Sequence, residues 1–202
     1  AVWSELERLH EQGELPALER LLGSAGGPGR ACELDPTGAA QTLAKISHAV
    51  AEGLHPTARR VLAENLTHAT RRRIDAQTFA VAERALLRLA LLEDEDSGSY
   101  AREAWAALFL VRLSPTHQPW PVRFEILASH ARSTQLDERR LVAAMLRSLL
   151  GDGRVGPHYF EPDTLDGEWP EVSTATYLEG RRQLWDLAIV LAVDPSPEVT
   201  GP

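Results

Sequence analysis

The stretch ERRLVAAML, residues 138–146, has three echoes: ARRVLAENL at 58–66, AREAWAALF at 101–109 and GRRQLWDLA at 180–188. Each places an arginine ahead of an apolar, alanine-rich turn. The arginines in register are Arg59, Arg102, Arg139 and Arg181, so the separations are 43, 37 and 42 residues. A period of a few tens of residues is the mark of stacked helical units, none of which buries its apolar face without its neighbours.

Working outward, each of the first three echoes follows another helical pattern. Asp35 before Pro36 reads as an N-cap and first-turn proline opening a helix to about Glu52. His55 and Pro56 repeat that placement for a helix to about Arg71. Asp75 caps a long helix to Leu92, whose Phe79, Ala82, Leu86, Leu87 and Leu89 make an apolar face. Ser99 opens a helix expected to reach Leu113, where Ser114 and Pro115 stop it. Trp120 and Pro121 start a helix to Arg132, and Asp137 caps one through Leu150. Thr176 with Glu179 forms a capping box for a final helix to Val193, as Ser4 with Glu7 does near the start. No stretch alternates with period two, so essentially no sheet is expected.

Three helix pairs at this spacing resemble the HEAT and armadillo class of α-helical repeats over residues 36–150, with a degenerate fourth unit to 193. The resemblance implies an all-α chain of antiparallel helix pairs stacked as a short solenoid; the alternative is a compact multi-helix bundle. In the stack, Ala63, Ala106 and Ala143 take equivalent small positions. Val61, Leu62, Leu66, Trp105, Leu108, Leu141, Val142, Met145 and Leu146 form a continuous core. The organisation expected is an N-terminal helical segment, 1–23; a linker, 24–34, within GSAGGPGR and its sequel; the repeat domain, 35–193, interrupted by a long loop at 151–176; and a flexible tail, 194–202.

Composition narrows the function classes. The chain has 202 residues, 44% hydrophobic and 25% charged, which suits an ordinary folded domain. Its net charge of −8 argues against a general nucleic-acid binder. Lys45 is the only lysine, a bias read as that of a GC-rich coding sequence. Cys32 is the only cysteine, so no intrachain disulfide or thiolate metal site can form, and a reducing cytoplasm is the simplest home. The longest apolar runs, AALFLV and LAIVLAV, fall far short of the ~20 residues that span a bilayer, so no membrane partner is expected. The start at Ala1 suits a piece of a larger protein.

Chemistry-bearing motifs are few. Glu7 with His10 and Glu52 with His55 share the i, i+3 spacing of ligands in di-iron bundles, but two further glutamates on long facing helices are not evident. No P-loop, G-x-G-x-x-G or G-x-S-x-G occurs. Hence no catalytic residue, cofactor or metal is assigned. Arg71, Arg72 and Arg73 are the only run of three basic residues, in a window where seven arginines face three acids; they could meet an acidic surface or simply end a helix. Segment 151–176 holds six acidic residues with Tyr159, Phe160 and Trp169, aromatics that could anchor a partner or fold back over the core.

The expectation is therefore a non-catalytic protein-interaction or scaffold module with an unidentified protein partner. Its candidate contacts are Tyr159, Phe160, Trp169 and the three arginines. The alternatives are a nucleic-acid- or ligand-responsive regulator, for which no helix-turn-helix precedes the linker, and a helical metalloenzyme using the Glu–His pairs.

Overall fold

A computed structural model describes residues 2–24, 32–93, 99–112, 114–150 and 172–200. Among them every regular element is helical. The helices are α1 (Val2–Glu11), α2 (Leu15–Leu22), α3 (Pro36–Val50), α4 (Pro56–Thr70), α5 (Ala76–Leu91), α6 (Tyr100–Ala107), α7 (Trp120–Ala131), α8 (Leu136–Leu150), α9 (Thr174–Ala192) and α10 (Pro197–Thr200); a short 3-10 turn, Ala51–Gly53, extends α3. No described helix is long and apolar enough to cross a membrane.

Local chemistry accounts for most of the boundaries. The Asp35 carboxylate accepts from Gly38 N at 2.9 Å, His55 Nδ1 from Thr57 N at 3.3 Å, and Asp75 Oδ1 from Thr78 N at 2.9 Å. Each satisfies a backbone donor that a helix start leaves open. Between α1 and α2, Gly13 takes a left-handed φ of +69°. Gly13 N bonds His10 O and Glu14 N bonds Leu9 O, closing α1 with a Schellman turn that only a residue without Cβ adopts cheaply.

Four starts or stops differ from the sequence reading. Helix α1 begins at Val2, which puts Ser4 inside it rather than at its cap. Helix α8 begins at Leu136, so Asp137 sits in the first turn, where a carboxylate still favours the helix dipole. Ser173, not Thr176, caps α9 by accepting from Thr176 N at 3.1 Å, and Glu179 is spent on Arg182 instead. Helix α6 stops at Ala107, six residues short of Leu113. There the carbonyls of Leu108 and Leu110 accept from the Arg123 guanidinium, at 2.8 and 2.6 Å, and Ser114 Oγ also donates to Leu108 O. These tertiary donors replace the amides that would have continued the helix. At its other end Ser99 makes no side-chain cap; the Glu93 carboxylate accepts from Ala101 N and Arg102 N.

Packing runs between helix pairs. Helix α1 lies on α2 and α3, α2 on α4, α3 on α4 and α5, and α4 on α5 and α6. Helix α5 also packs on α6 and touches α8; α7, α8 and α9 pack mutually, with α10 across α8 and α9. A short stack and a compact bundle share this contact order. Leu6, Leu9, Leu18 and Leu22 belong to the same buried cluster as Leu43, Leu62, Phe79, Leu86, Trp105, Leu146 and Leu187, so the N-terminal pair contributes to the one core. Fully burying a leucine contributes roughly 1.5–3 kcal/mol. Ala63, Ala106 and Ala143 are all buried, as are the expected core residues except Val61 and Leu141, which are half-buried. Residues 194–200, expected as tail, include α10, whose Val199 is buried; Arg139 Nε reaches Asp194 Oδ2 at 2.8 Å.

The four arginines of the echo do similar work. Arg59 donates to Leu92 O, Arg102 to Ala90 O and Glu93 O, Arg139 to Ser133 O, and Arg181 to Leu149 O and Leu150 O. Each guanidinium thus reaches carbonyls at or just past the C-terminal end of a helix, where unpaired oxygens and the helix dipole favour a cation.

Candidate functional sites: a buried carboxylate–imidazole network and an apolar end face

The polar centre of the molecule lies where α5, α6, α7 and α8 meet. Glu83, His130 and Glu138 each occupy a core position of their helix: Glu83 follows Phe79 by one turn, His130 sits between Leu127 and Ala131, and Glu138 precedes Val142 by one turn. All three are buried, Glu83 and His130 to 1% exposure. His130 Nε2 lies 3.0 Å from Glu83 Oε1 and Nδ1 lies 3.1 Å from Glu138 Oε2. Trp105 Nε1 donates to the same Glu83 oxygen at 2.5 Å, and its ring meets His130 edge to face at 5.9 Å.

Two ring nitrogens facing two carboxylates need a proton in each gap, which an imidazolium supplies and a neutral imidazole cannot. Burial pulls the His130 pKa down, but the Glu83 and Glu138 carboxylates outweigh it and hold the ring above its ordinary range. Charged, the ring ties together side chains 47 and 8 residues from it in sequence, on α5 and α8. A His–carboxylate pair also occurs in catalytic sites. Here both ring nitrogens are engaged and the side chains are closed off from solvent, so the imidazole has no lone pair to offer a substrate or a metal.

Arg123, on α7, is a second buried charge. Its Nε donates to Gln118 O at 2.9 Å while Nη1 holds the carbonyls at the end of α6, and the guanidinium lies 5.3 Å from the Trp120 ring centre. Burial pulls its pKa down to about 10, which leaves it charged at neutral pH. It fixes the turn between α6 and α7.

The open apolar features lie around α9. A cavity of about 390 Å3 runs between α8, α9 and α10, lined by Ala143, Leu146, Leu150, Trp185, Ala188, Leu191 and Val199 together with Arg147 and Thr200. A neighbouring cavity of about 420 Å3 shares Ala143, Arg147 and Val199 and adds Arg102, Asp137, Arg140 and Glu198. Helix α9 buries Gly180, Leu184, Leu187 and Leu191 against the core. On its opposite side Leu178 is 61%, Trp185 53%, Ile189 62% and Val193 77% exposed.

The residues singled out from sequence fall elsewhere. Tyr159, Phe160 and Trp169 lie outside the described residues. Of the arginine run, Arg71 is buried at the end of α4, with its pKa pulled down by burial; Arg72 is half-buried, 3.8 Å from Glu33; Arg73 alone is exposed. The two Glu–His pairs do not act as pairs: Glu7 meets Lys45 at 2.9 Å, Glu52 meets Arg88 at 2.8 Å, and His55 caps α4. Among the described residues no cluster of three His, Cys, Asp or Glu side chains could hold a metal ion. Sequence reasoning missed the Glu83–His130–Glu138 group, although a signal existed: three ionisable residues in the apolar register of their helices. No known protein family matches the chain, and neither a characterised protein nor a solved structure does.

Proposed function

We propose that this chain is a non-catalytic protein-interaction module whose helix pairs stack in the HEAT manner, with the outer face of α9 as its docking surface. The observation that carries this reading is that α9 is apolar on two opposite sides, one against the core and the other in solvent beside an open apolar groove. An exposed apolar row beside an apolar groove suits a contact surface. The recurring use of the four arginines on helix-end carbonyls supports the stack. The step from stack to partner binding is an analogy at the level of fold. Tyr159, Phe160 and Trp169 precede α9 in sequence and stay candidate anchors in this proposal, as does the exposed Arg73.

Site-specific photo-cross-linking in the native host tests the surface. A photoreactive residue at position 189 should give a discrete adduct, and the same residue at exposed Gln41 should not. Equal, diffuse labelling at both positions would refute the reading. The stack is tested by scattering: a verified monomer should exceed the compact radius of gyration of about 16.5 Å.

A further inference from the structure

The geometry points to a binding site for one medium-chain carboxylate, a fatty acid in its ionised form, in the cavity between α8, α9 and α10. Helical register sets its walls. Ala143, Leu146, Arg147 and Leu150 stand at i, i+3, i+4 and i+7 on one face of α8, and Trp185, Ala188 and Ala192 share the face of α9 that meets it. With alanine at three of these positions the side chains leave about 390 Å3 between the helices. Pockets that enclose small ligands begin at roughly 300 Å3 and are mostly apolar with a few placed polar groups.

The third wall is held in place. Arg139 Nε donates to Asp194 Oδ2 at 2.8 Å and its Nη2 to Ser196 Oγ at 3.3 Å, which ties the chain before α10 to α8. Val199 of α10 is buried and closes that side.

Charge selects the ligand. Among the described residues Arg147 is the charged side chain lining this cavity, and it also lines the neighbouring one of about 420 Å3. There Arg102, Arg140 and Arg147 face Asp137 and Glu198, three cations against two anions, in a chain whose net charge is −8. A positive excess therefore stands where the apolar cavity meets the polar one. An apolar tail lying along Leu146, Leu150, Trp185 and Leu191 brings a terminal carboxylate to Arg147, whose planar fork donates two parallel hydrogen bonds to such a group. A neutral chain gains nothing from that arginine, and a cationic one is repelled. The site does not require a protein on the outer face of α9, so its failure and that of the docking reading are separate results.

Isothermal titration calorimetry of the full chain with dodecanoate, below its micelle concentration, is the test. One molecule should bind per chain, and decanoate should bind about 15-fold more weakly, because each buried methylene is worth about four-fold in affinity. Ala192→Trp, at an exposed position, fills the cavity and should abolish binding; Arg147→Glu, also exposed, should weaken it at least about ten-fold. Both variants should keep the helical circular dichroism of the wild type, and Arg147→Glu carries the test should the tryptophan variant fail to fold. Trp185 emission should move to shorter wavelength on binding, and Trp185→Phe should remove that change while heat is still released. The absence of any binding heat overturns the proposal, as does binding indifferent to both substitutions. Dodecyltrimethylammonium bound as tightly as dodecanoate would overturn the anionic preference and with it the assignment. Retention on phosphatidylglycerol vesicles without uptake of monomeric dodecanoate would make the face a lipid-surface contact and overturn the single-molecule site.

Discussion

Replacing His130 by Ala tests the account of the buried centre most directly. The substitution leaves Glu83 and Glu138, both shielded from water, without the cation that lies 3.0 and 3.1 Å from them, and Glu83 keeps only the Trp105 N–H. Breaking a buried ion pair by deleting one member costs roughly 3–5 kcal/mol, because the stranded charge must be neutralised or hydrated. For a chain of this size each kcal/mol is worth about 2–4 °C, so the melting temperature should fall by about 6–20 °C. Thermal and urea denaturation followed by circular dichroism at neutral pH measures it. Replacing all three ionisable side chains by leucine should recover much of the loss, since no charge then stays buried, short of the penalty for an orphaned Trp105 N–H. A loss below about 1 kcal/mol on His130→Ala would refute the reasoning, since it would mean that the carboxylates are not held by the imidazolium.

The same group predicts a pH dependence. The folded-state pKa of His130 is raised, so its contribution is fully present below the ordinary imidazole value of about 6.5 and is lost as pH rises through the raised value. Burial lowers the pKa of His48 and His68, which work in the opposite sense, but they cancel in the difference between wild type and His130→Ala, which should shrink as the pH rises above the ordinary imidazole range. A flat difference would count against the charged ring. Gly180→Ala should destabilise: a Cβ there would lie 2.5 Å from Val111 Cγ1 and 3.1 Å from Trp120 Cε2, an overpacking of about 1–3 kcal/mol against a helix-propensity gain near 1. Net stabilisation in a urea titration would show that α9 can lift away from Val111 freely. Cys32 is buried and its thiol is pushed up to about 12, so a thiol reagent should leave the folded chain untouched over minutes and titrate it after unfolding. Rapid native labelling would mean that the region around α3 opens easily.

Where most helices begin, and which residues they bury, is legible in the sequence. Those boundaries rest on groups within four residues of one another: Asp35 on Gly38, His55 on Thr57, Asp75 on Thr78. The apolar register that predicted Phe79, Ala82 and Leu86 as core is local in the same way. The arginine echo was legible as a repeated letter pattern, but its meaning was not, because each guanidinium serves carbonyls on another part of the chain. Packing between distant segments set the rest. Helix α6 ends at Ala107 because Arg123 takes the carbonyls of Leu108 and Leu110, 15 and 13 residues before it, just past the helix. Glu83 can be buried because His130, 47 residues away, arrives with a charge. The outer side of α9 stands in solvent because α7, α8 and α10 meet the helix on its other side, at Leu184, Leu187 and Leu191. Periodicity reports how apolar a side chain is; whether it meets the core, a distant charge or water depends on which helices come to lie beside it.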